Sequence, residues 1–270
     1  MKKFIFFKSL FLYALLGLCS TACNDDDGHI PMPNFEESAC RVTFINRPDE
    51  IPEGEHAHYT GLEYTGRGYI TRVYQTRDTD DDKILFGYGR DTVVIEAEEY
   101  AGADLILQYT FKYTNSLLTT IIEYGPEGEE LGVREFKYDS KKRLIEETSG
   151  GSPYNYTITY TYDNKDNLTK REVFRGDKLT DRETYENYDS NPTPYAGVKG
   201  LPAFYFESYS KNNPGKSTRS RDTNGDGSIQ SDETEVITYI YTYNSNGYPT
   251  KITETGGKFP RTDTFDYACE

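Results

Sequence analysis

The feature that most constrains this 270-residue chain is a short aromatic motif that recurs about every 24 residues. In the clearest copies, an aromatic residue, one further residue and a tyrosine lead into a polar turn, and an apolar residue follows the turn. The tyrosine marks the copies, at Tyr64, Tyr88, Tyr113, Tyr138, Tyr162, Tyr188, Tyr209, Tyr243 and Tyr267. The first six markers are 24 to 26 residues apart, which indicates one structural unit copied along the chain.

Each unit is predicted to be a β-hairpin. In residues 157–162, Ile158, Tyr160 and Tyr162 alternate with threonines, which places the three larger side chains on one face of a strand. The turns contain Asp, Asn and Gly, which short hairpin loops favour. Because a lone hairpin is only marginally stable in water, the units must stack to bury their aromatic faces.

The sequence therefore predicts an all-β fold of repeated antiparallel hairpins. The 25 Tyr and 14 Phe agree with this fold class, because aromatic residues are strand formers. Two arrangements remain open: a curved meander sheet, which is our first expectation, and a closed barrel- or propeller-like array. Nine hairpins in an open sheet would form roughly 18 strands, with the chain ends about 85 Å apart.

The first 22 residues have the layout of a secretory signal peptide. A basic start precedes an apolar run over residues 4–18. Its uninterrupted part is shorter than the roughly 20 residues of a membrane-spanning helix, so cleavage is expected. Small residues then precede Cys23, as in the lipobox of bacterial lipoproteins, where the cysteine is lipidated and becomes the mature N-terminus.

An acidic stretch follows the predicted lipidation site. Residues 24–27 resemble the signal that sends lipoproteins of some Gram-negative gut anaerobes to the cell surface. We therefore expect an acidic tether over residues 23–39, a membrane contact through the lipid anchor, and an outer-membrane location that faces the cell surface. A periplasm-facing anchor is the alternative.

Residues 40–270 are predicted to form a single β-hairpin repeat domain. Removing residues 1–22, which contain three lysines and no acidic residue, leaves 27 basic residues against 45 acidic ones, a net charge of −18. Nucleic acid is not an expected partner, because phosphate binding needs clustered Lys and Arg. Cys40 and Cys269 remain as candidates for one disulfide in an oxidising compartment. That bond needs Cα atoms within about 7 Å, so it would require the closed array.

The Tyr-Asp pairs at residues 138–139 and 162–163 resemble the YD (Rhs-type) repeat. Over residues 59–267 the chain resembles more closely an uncharacterised domain-of-unknown-function family of surface lipoproteins from Gram-negative anaerobes, built from degenerate YD hairpins. Residues 188–214 are similar to that family's interruption between hairpins. The resemblance implies a hairpin fold and carries no assigned activity.

Residues 222–233 match the twelve-residue calcium loop of EF-hands. The sequence predicts that calcium is held by Asp222, Asn224, Asp226, Ser228, Gln230 and Glu233. Side-chain oxygens come from the first three, the carbonyl from Ser228, a water-mediated contact from Gln230 and a bidentate carboxylate from Glu233. Because the flanking segments have strand patterns, we expect a structural calcium site in a hairpin connection and no paired-hand sensor. A metal-free acidic turn is the alternative.

Two weaker clusters are less specific. Residues 78–83 are acidic but have Lys83 where a calcium loop needs Gly, so a solvated hairpin turn is the better interpretation. His56 and His58 would share one strand face, but no third zinc ligand accompanies them.

The sequence contains no recognisable catalytic motif. We therefore predict a non-enzymatic surface lipoprotein, a binding or scaffold module that contacts a glycan or a protein through exposed tyrosines. The alternative is an extracellular glycan hydrolase that uses a carboxylate pair, since such pairs are set by spacing in three dimensions.

Overall fold

The computed structural model describes residues 40–47, 58–77, 80–89, 93–151, 155–198, 209–225, 228–258 and 260–269. In these residues the secondary structure comprises sixteen strands and one 3-10 helix, Ser231–Glu233. The strands are β1 (Arg41–Arg47), β2 (His58–Tyr64), β3 (Ile70–Arg77), β4 (Asp80–Tyr88), β5 (Val94–Ala101), β6 (Asp104–Thr114), β7 (Leu117–Tyr124), β8 (Glu130–Tyr138), β9 (Leu144–Gly150), β10 (Tyr156–Tyr162), β11 (Leu168–Arg175), β12 (Lys178–Glu186), β13 (Lys216–Arg221), β14 (Thr234–Tyr243), β15 (Pro249–Thr255) and β16 (Arg261–Ala268). Within the described part of the chain, no helix is long and apolar enough to cross a membrane.

The strands form one closed antiparallel barrel. Each strand pairs with its neighbours along the chain, and β1 also pairs with β16, with Val42 opposite Tyr267 and Ile45 opposite Phe265. The all-β hairpin fold is therefore confirmed, and of the two arrangements left open by the sequence the structure has the closed one. Closure joins the two strands that would otherwise be sheet edges with unpaired backbone groups.

Six of the repeat markers lie at β-bulges. The register between paired strands shifts at Tyr64, Tyr88, Tyr113, Tyr138, Tyr162 and Tyr243. A bulge increases the local twist of a strand and redirects a side chain. Because the bulge recurs at the same place in successive hairpins, the added twist accumulates around the sheet.

The marker tyrosines also tie each hairpin to the preceding one. The Tyr113 hydroxyl donates a hydrogen bond to the Val94 carbonyl oxygen at 2.7 Å, and the Tyr138 hydroxyl donates one to the Leu118 carbonyl oxygen at 2.8 Å. Val94 lies opposite Tyr88, and Leu118 lies opposite Tyr113, so each acceptor belongs to the previous marker pair. Equivalent bonds are donated by Tyr64, Tyr88, Tyr188 and Tyr267. We call this set of bonds the tyrosine ladder and its end of the barrel the tyrosine end.

The aspartate of the Tyr-Asp pair shapes the hairpin turn. The Asp139 carboxylate accepts hydrogen bonds from the backbone N–H groups of Lys141 and Arg143, at 2.9 and 3.0 Å. Asp163 accepts the equivalent pair of bonds from Lys165 and Asn167. Such a side chain satisfies turn N–H groups that have no ladder partner. Tyrosine and aspartate therefore have separate structural roles in the repeated pair.

The connection between β12 and β13 fills part of the barrel interior. The ring of Tyr209 lies 4.7 Å from that of Tyr160, and the ring of Tyr195 lies 6.4 Å from that of Phe265. Tyr160 and Phe265 are each 4% exposed and belong to the core. A barrel of sixteen strands is too wide for its own inward side chains to fill, so this connection supplies apolar groups at the tyrosine end. Tyr209, expected from the sequence to mark a hairpin, lies in this connection.

The barrel is apolar inside and polar outside. Core residues such as Ile45, Ile70 and Ile121 are almost completely buried. The outward face carries ion pairs such as Lys137–Glu146 at 2.6 Å, and the exposed large hydrophobic residues in the described part are dispersed over β5, β6, β8 and β14. The ladder tyrosines pack against the core. The exposed aromatic surface that the sequence suggested is therefore not formed by these residues.

Candidate functional site

The interior opposite the tyrosine end contains a row of alternating charges. Arg171 lies opposite Glu183, Glu183 opposite Arg219, and Arg219 opposite Glu235, on β11 to β14. Arg219 shares a strand face with the fully buried Ser217, which places this row on the inward face. Opposite charges directly across paired strands attract one another. We call these four residues the charged row.

Arg219 is the centre of the charged row. Its guanidinium lies 3.1 Å from a Glu183 carboxylate oxygen and 3.8 Å from a Glu235 carboxylate oxygen. Burial alone would lower the pKa of Arg219, but the Glu183 carboxylate outweighs burial and the pKa is raised. Arg219 therefore remains charged and balances two inward carboxylates.

A second group of charges lies beside the row, on β15 and β16. The guanidinium of Arg261 is 2.9 Å from a Glu254 carboxylate oxygen and 3.9 Å from an Asp263 carboxylate oxygen. Asp263 is only 6% exposed. Burial raises the pKa of Glu254, and the Asp263 carboxylate raises it further, while Arg261 and Arg219 act in the opposite direction. Glu254 therefore holds a proton more readily than an ordinary glutamate.

These groups line a small pocket near the β15–β16 turn. Its walls are formed by Arg219, Glu235, Ile237, Glu254, Gly257 and Lys258. Two carboxylates and two cations thus surround one cavity, with an apolar wall at Ile237. Such a cavity can hydrogen-bond a small polar group from several directions.

A third charged group, Glu147, lies deep in the interior on β9. Glu147 is 3% exposed and accepts hydrogen bonds from the hydroxyls of Tyr156 at 2.9 Å and Tyr160 at 3.3 Å. Arg134 lies 3.8 Å away, and Tyr160 also contacts the Tyr209 hydroxyl. Burial raises the pKa of Tyr160, so its hydroxyl remains a donor. A buried carboxylate needs such partners, and this cluster therefore links the wall of the barrel to the β12–β13 connection.

The predicted calcium loop forms the connection between β13 and β14. The Glu233 carboxylate accepts hydrogen bonds from the backbone N–H groups of Thr223 at 2.7 Å, Asn224 at 3.2 Å and Gln230 at 2.8 Å. A further bond from the Thr223 hydroxyl is the main reason that the pKa of Glu233 is lowered to about 2. Asp222 accepts a bond from the Gly225 N–H at 2.7 Å. Glu233 thus joins the start of the loop to its end.

The other predicted ligands are placed less completely. Ser228 and Gln230 lie on the exposed side of the same connection, and Asp226 lies outside the described residues. Among the residues that are described, no three His, Cys, Asp or Glu side chains are arranged to hold a metal ion. Calcium binding by residues 222–233 therefore stays a prediction.

The cysteines at the two ends of the domain are joined. A disulfide links Cys40 to Cys269, whose Cα atoms are 4.1 Å apart, and the Asn246 side chain donates a hydrogen bond to the Cys40 sulfur at 3.1 Å. The bond lies at the tyrosine end, where β1 begins and β16 ends. Cys23, the predicted lipidation site, lies outside the described residues.

The weaker clusters have no common site in the described residues. Asp80 to Lys83 belong to β4, and the Lys83 ammonium lies 5.1 Å from the centre of the Tyr100 ring. Asp78 and His56 fall outside the described residues, and His58 begins β2.

Sequence reasoning did not identify the charged row. A signal for it exists, because β12 and β13 carry charges at both alternating sets of positions, whereas β10 has an apolar and a threonine face. A strand that is charged on both faces predicts a polar interior beside it. The four partners come from separate strands, so only the sheet register brings them together.

Comparison with known proteins yields likenesses of fold only. No protein-family model matches the chain, and no curated protein matches it. The structure of a porin-like protein from Bacteroides uniformis covers 84% of this chain and 96% of its own, with a TM-score of 0.54 and 16% identity. A porin-like protein from Bacteroides vulgatus has a TM-score of 0.41 and 14% identity, covering 85% and 99%. The TcdB2-TccC3 structure without its hypervariable C-terminal region has a TM-score of 0.27 and 16% identity, covering 76% of this chain and 12% of its own.

Proposed function

We propose that this chain is a non-enzymatic surface lipoprotein of a Gram-negative outer membrane, with the barrel in water and the membrane contact made through a lipid on Cys23. The same proposal places it beside the surface lipoproteins with degenerate YD hairpins that its sequence resembles. The barrel serves as a binding or scaffold module for a glycan or a protein.

The polarity of the barrel is the observation that carries this proposal. A barrel that spans a membrane presents an outward apolar band about 25 Å tall. Here the large apolar side chains face inward and ion pairs such as Arg72–Glu63, at 3.3 Å, occupy the outward face. Inserting that face into lipid would strip water from the charges. A barrel with this polarity reaches a membrane only through an anchor.

The Cys40–Cys269 disulfide supports export. Disulfides persist in oxidising compartments such as the periplasm and the cell surface, and are rare in the cytosol. The tether between Cys23 and Cys40 then connects the lipid to the first strand of the barrel.

The anchor is tested by metabolic labelling with a palmitate analogue. We expect wild-type protein to carry the label and to sediment with membranes, and Cys23→Ala to lose both properties. Cys19→Ala is the matched control, because Cys19 would leave with the signal peptide. Membrane retention of Cys23→Ala after a high-salt and carbonate wash would contradict the proposal. Protease digestion of intact cells then distinguishes the cell surface from the periplasmic face.

The binding function is tested with soluble residues 24–270. A glycan array and a pull-down from outer-membrane extracts would identify ligands, and Arg219→Ala tests whether the charged row contacts them. Loss of binding with unchanged thermal melting would assign the ligand to the interior pocket. Ligands that bind Arg219→Ala as well as wild type would have to use another surface.

The second candidate function is hydrolysis of a glycan by a carboxylate pair. It is favoured by one observation, that Glu235 and Glu254 line one pocket and the pKa of Glu254 is raised. A protonated carboxyl beside an ionised one is the arrangement that glycoside hydrolysis requires. Release of reducing sugars that is abolished by both Glu254→Gln and Glu235→Gln would establish it. Activity that survives either substitution would exclude this pair.

A further inference from the structure

The two ends of the barrel carry opposite charge. In the described connections at the tyrosine end, the six basic residues are Arg67, Lys141, Lys142, Arg143, Lys165 and Lys211, and the four acidic ones are Asp139, Asp163, Asp166 and Asp189. At the opposite end, the described connections contain six acidic residues, Glu127, Glu129, Asp177, Asp222, Asp232 and Glu233, and one basic residue, Lys258. A chain with a net charge of −15 thus has a locally basic tyrosine end.

The acidic groups at the tyrosine end are engaged by the turns themselves. The hydrogen bonds of the turn and the guanidinium of Arg143 overcome the effect of burial and hold the pKa of Asp139 below its usual range. Asp163 is likewise bonded to the backbone of its own turn. Lys142 and Lys165, by contrast, are exposed at the tips of these turns. The groups that project furthest from this end are therefore cationic.

The tether to the lipid starts from the same end. Cys40 begins β1 and accepts a hydrogen bond from Asn246, in a turn of the tyrosine end. The 17 residues from Cys23 to Cys40, as a flexible chain, would have a typical end-to-end distance of about 23 Å. A lipid on Cys23 would therefore hold the tyrosine end closer to the membrane than the acidic end.

We propose that the tyrosine end docks on the anionic headgroup phosphates of the membrane that holds the lipid anchor, which points the acidic end and its pocket away from the membrane. This inference rests on the proposed lipid anchoring. The partner is a phosphate-bearing lipid surface, recognised by Lys142, Lys165 and the neighbouring basic turns.

The negative charge of the whole chain does not prevent this docking. Strands of seven to eleven residues, tilted as in other barrels, separate the two ends by roughly 20 Å. Charges are screened over about 8 Å at physiological ionic strength, so the acidic end contributes little at the membrane surface. Tethering also raises the local concentration of lipid to the order of millimolar, at which a weak electrostatic contact is populated.

The first test uses soluble residues 24–270 and vesicles of phosphatidylcholine with or without phosphatidylglycerol. We expect co-sedimentation with the anionic vesicles only, weakening as salt rises. Because each basic residue near an anionic surface contributes about fivefold, Lys142→Glu with Lys165→Glu should reduce binding by about 25-fold or more. The matched control, Lys178→Glu with Lys258→Glu at the other end, should bind as wild type. Equal losses in the two double variants would overturn the proposal, as would binding that neither salt nor phosphatidylglycerol alters. Added inorganic phosphate at constant ionic strength should not compete, since a preference for free phosphate would assign the lysines to a small-ion site.

The second test uses the lipidated full chain in the same vesicles. An amine-reactive reagent followed by peptide mapping should label Lys142 and Lys165 several-fold more slowly than in the soluble protein, while Lys178 and Lys258 are unchanged. Equal labelling at both ends, or slower labelling of Lys178 and Lys258, would reject the orientation. If Cys23 is not lipidated, the palmitate label is absent while the soluble-protein test still reports on docking, so the two failures are distinguishable.

Discussion

Removing the disulfide that joins the ends of the barrel should strongly destabilise the domain without opening it. Cys40 and Cys269 are separated by 229 residues. In the chain-entropy relation, cross-linking a loop of that length stabilises the folded state by about 5 kcal/mol, because it restricts the unfolded chain. The β1–β16 ladder remains in the variant, so the native fold should persist.

The assay compares soluble wild type with Cys40→Ser combined with Cys269→Ser, by urea unfolding and thermal melting. Serine leaves an oxygen that can accept the hydrogen bond from Asn246. At a few degrees per kcal/mol for a domain of this size, the melting temperature should fall by about 10 °C or more. Reductant should lower the stability of wild type to that of the double variant and leave the variant unchanged. A free energy of unfolding that differs by less than about 0.5 kcal/mol between oxidised wild type and the variant would refute the reasoning.

Three further predictions concern single side chains. Tyr138→Phe removes the donor to the Leu118 carbonyl oxygen and should lower the free energy of unfolding by about 1–2 kcal/mol, whereas Tyr124→Phe, for which no ladder bond exists, should leave it nearly unchanged in the same urea titration. If residues 222–233 bind calcium, free calcium at about ten times its dissociation constant should stabilise wild type by roughly 1.4 kcal/mol and not Glu233→Gln; identical melting of both proteins in calcium and in chelator would remove the claim. The pKa of Glu254 is raised in the folded state, so its contribution to stability is complete at acid pH and is lost as the pH rises through the folded pKa; Glu254→Gln should therefore gain stability relative to wild type between about pH 4 and about pH 7, and a constant difference across that range would contradict the assigned pKa shift.

Much of the repeating unit could be predicted from the sequence, because its determinants are local. Alternation at period two assigned Ile158 and Tyr160 to one face, and the structure buries both. The Tyr-Asp pairs gave the positions of turns, since the aspartate bonds to N–H groups two and four residues later. The ladder was not foreseen, because its acceptors are backbone carbonyls about 20 residues away.

The candidate site was predictable only in part. The calcium loop is one contiguous segment with a fixed spacing, so the sequence can propose it, although binding stays a prediction. The pocket combines Arg219, Glu235 and Glu254 from three strands. No spacing along the chain identifies such a group, because a one-residue change of register would send each side chain to the other face.

The sequence by itself determined the hairpin, its period, the composition of its turns and the cysteines at its ends. Only the tertiary structure decided that the array closes, that the tyrosines face inward, and that charges of separate strands meet. Alternation fixes which residues share a face, but the direction in which a sheet curls depends on twist accumulated over successive bulges. Closure then depends on pairs such as Val42 with Tyr267, more than 220 residues apart, whose meeting no local pattern encodes.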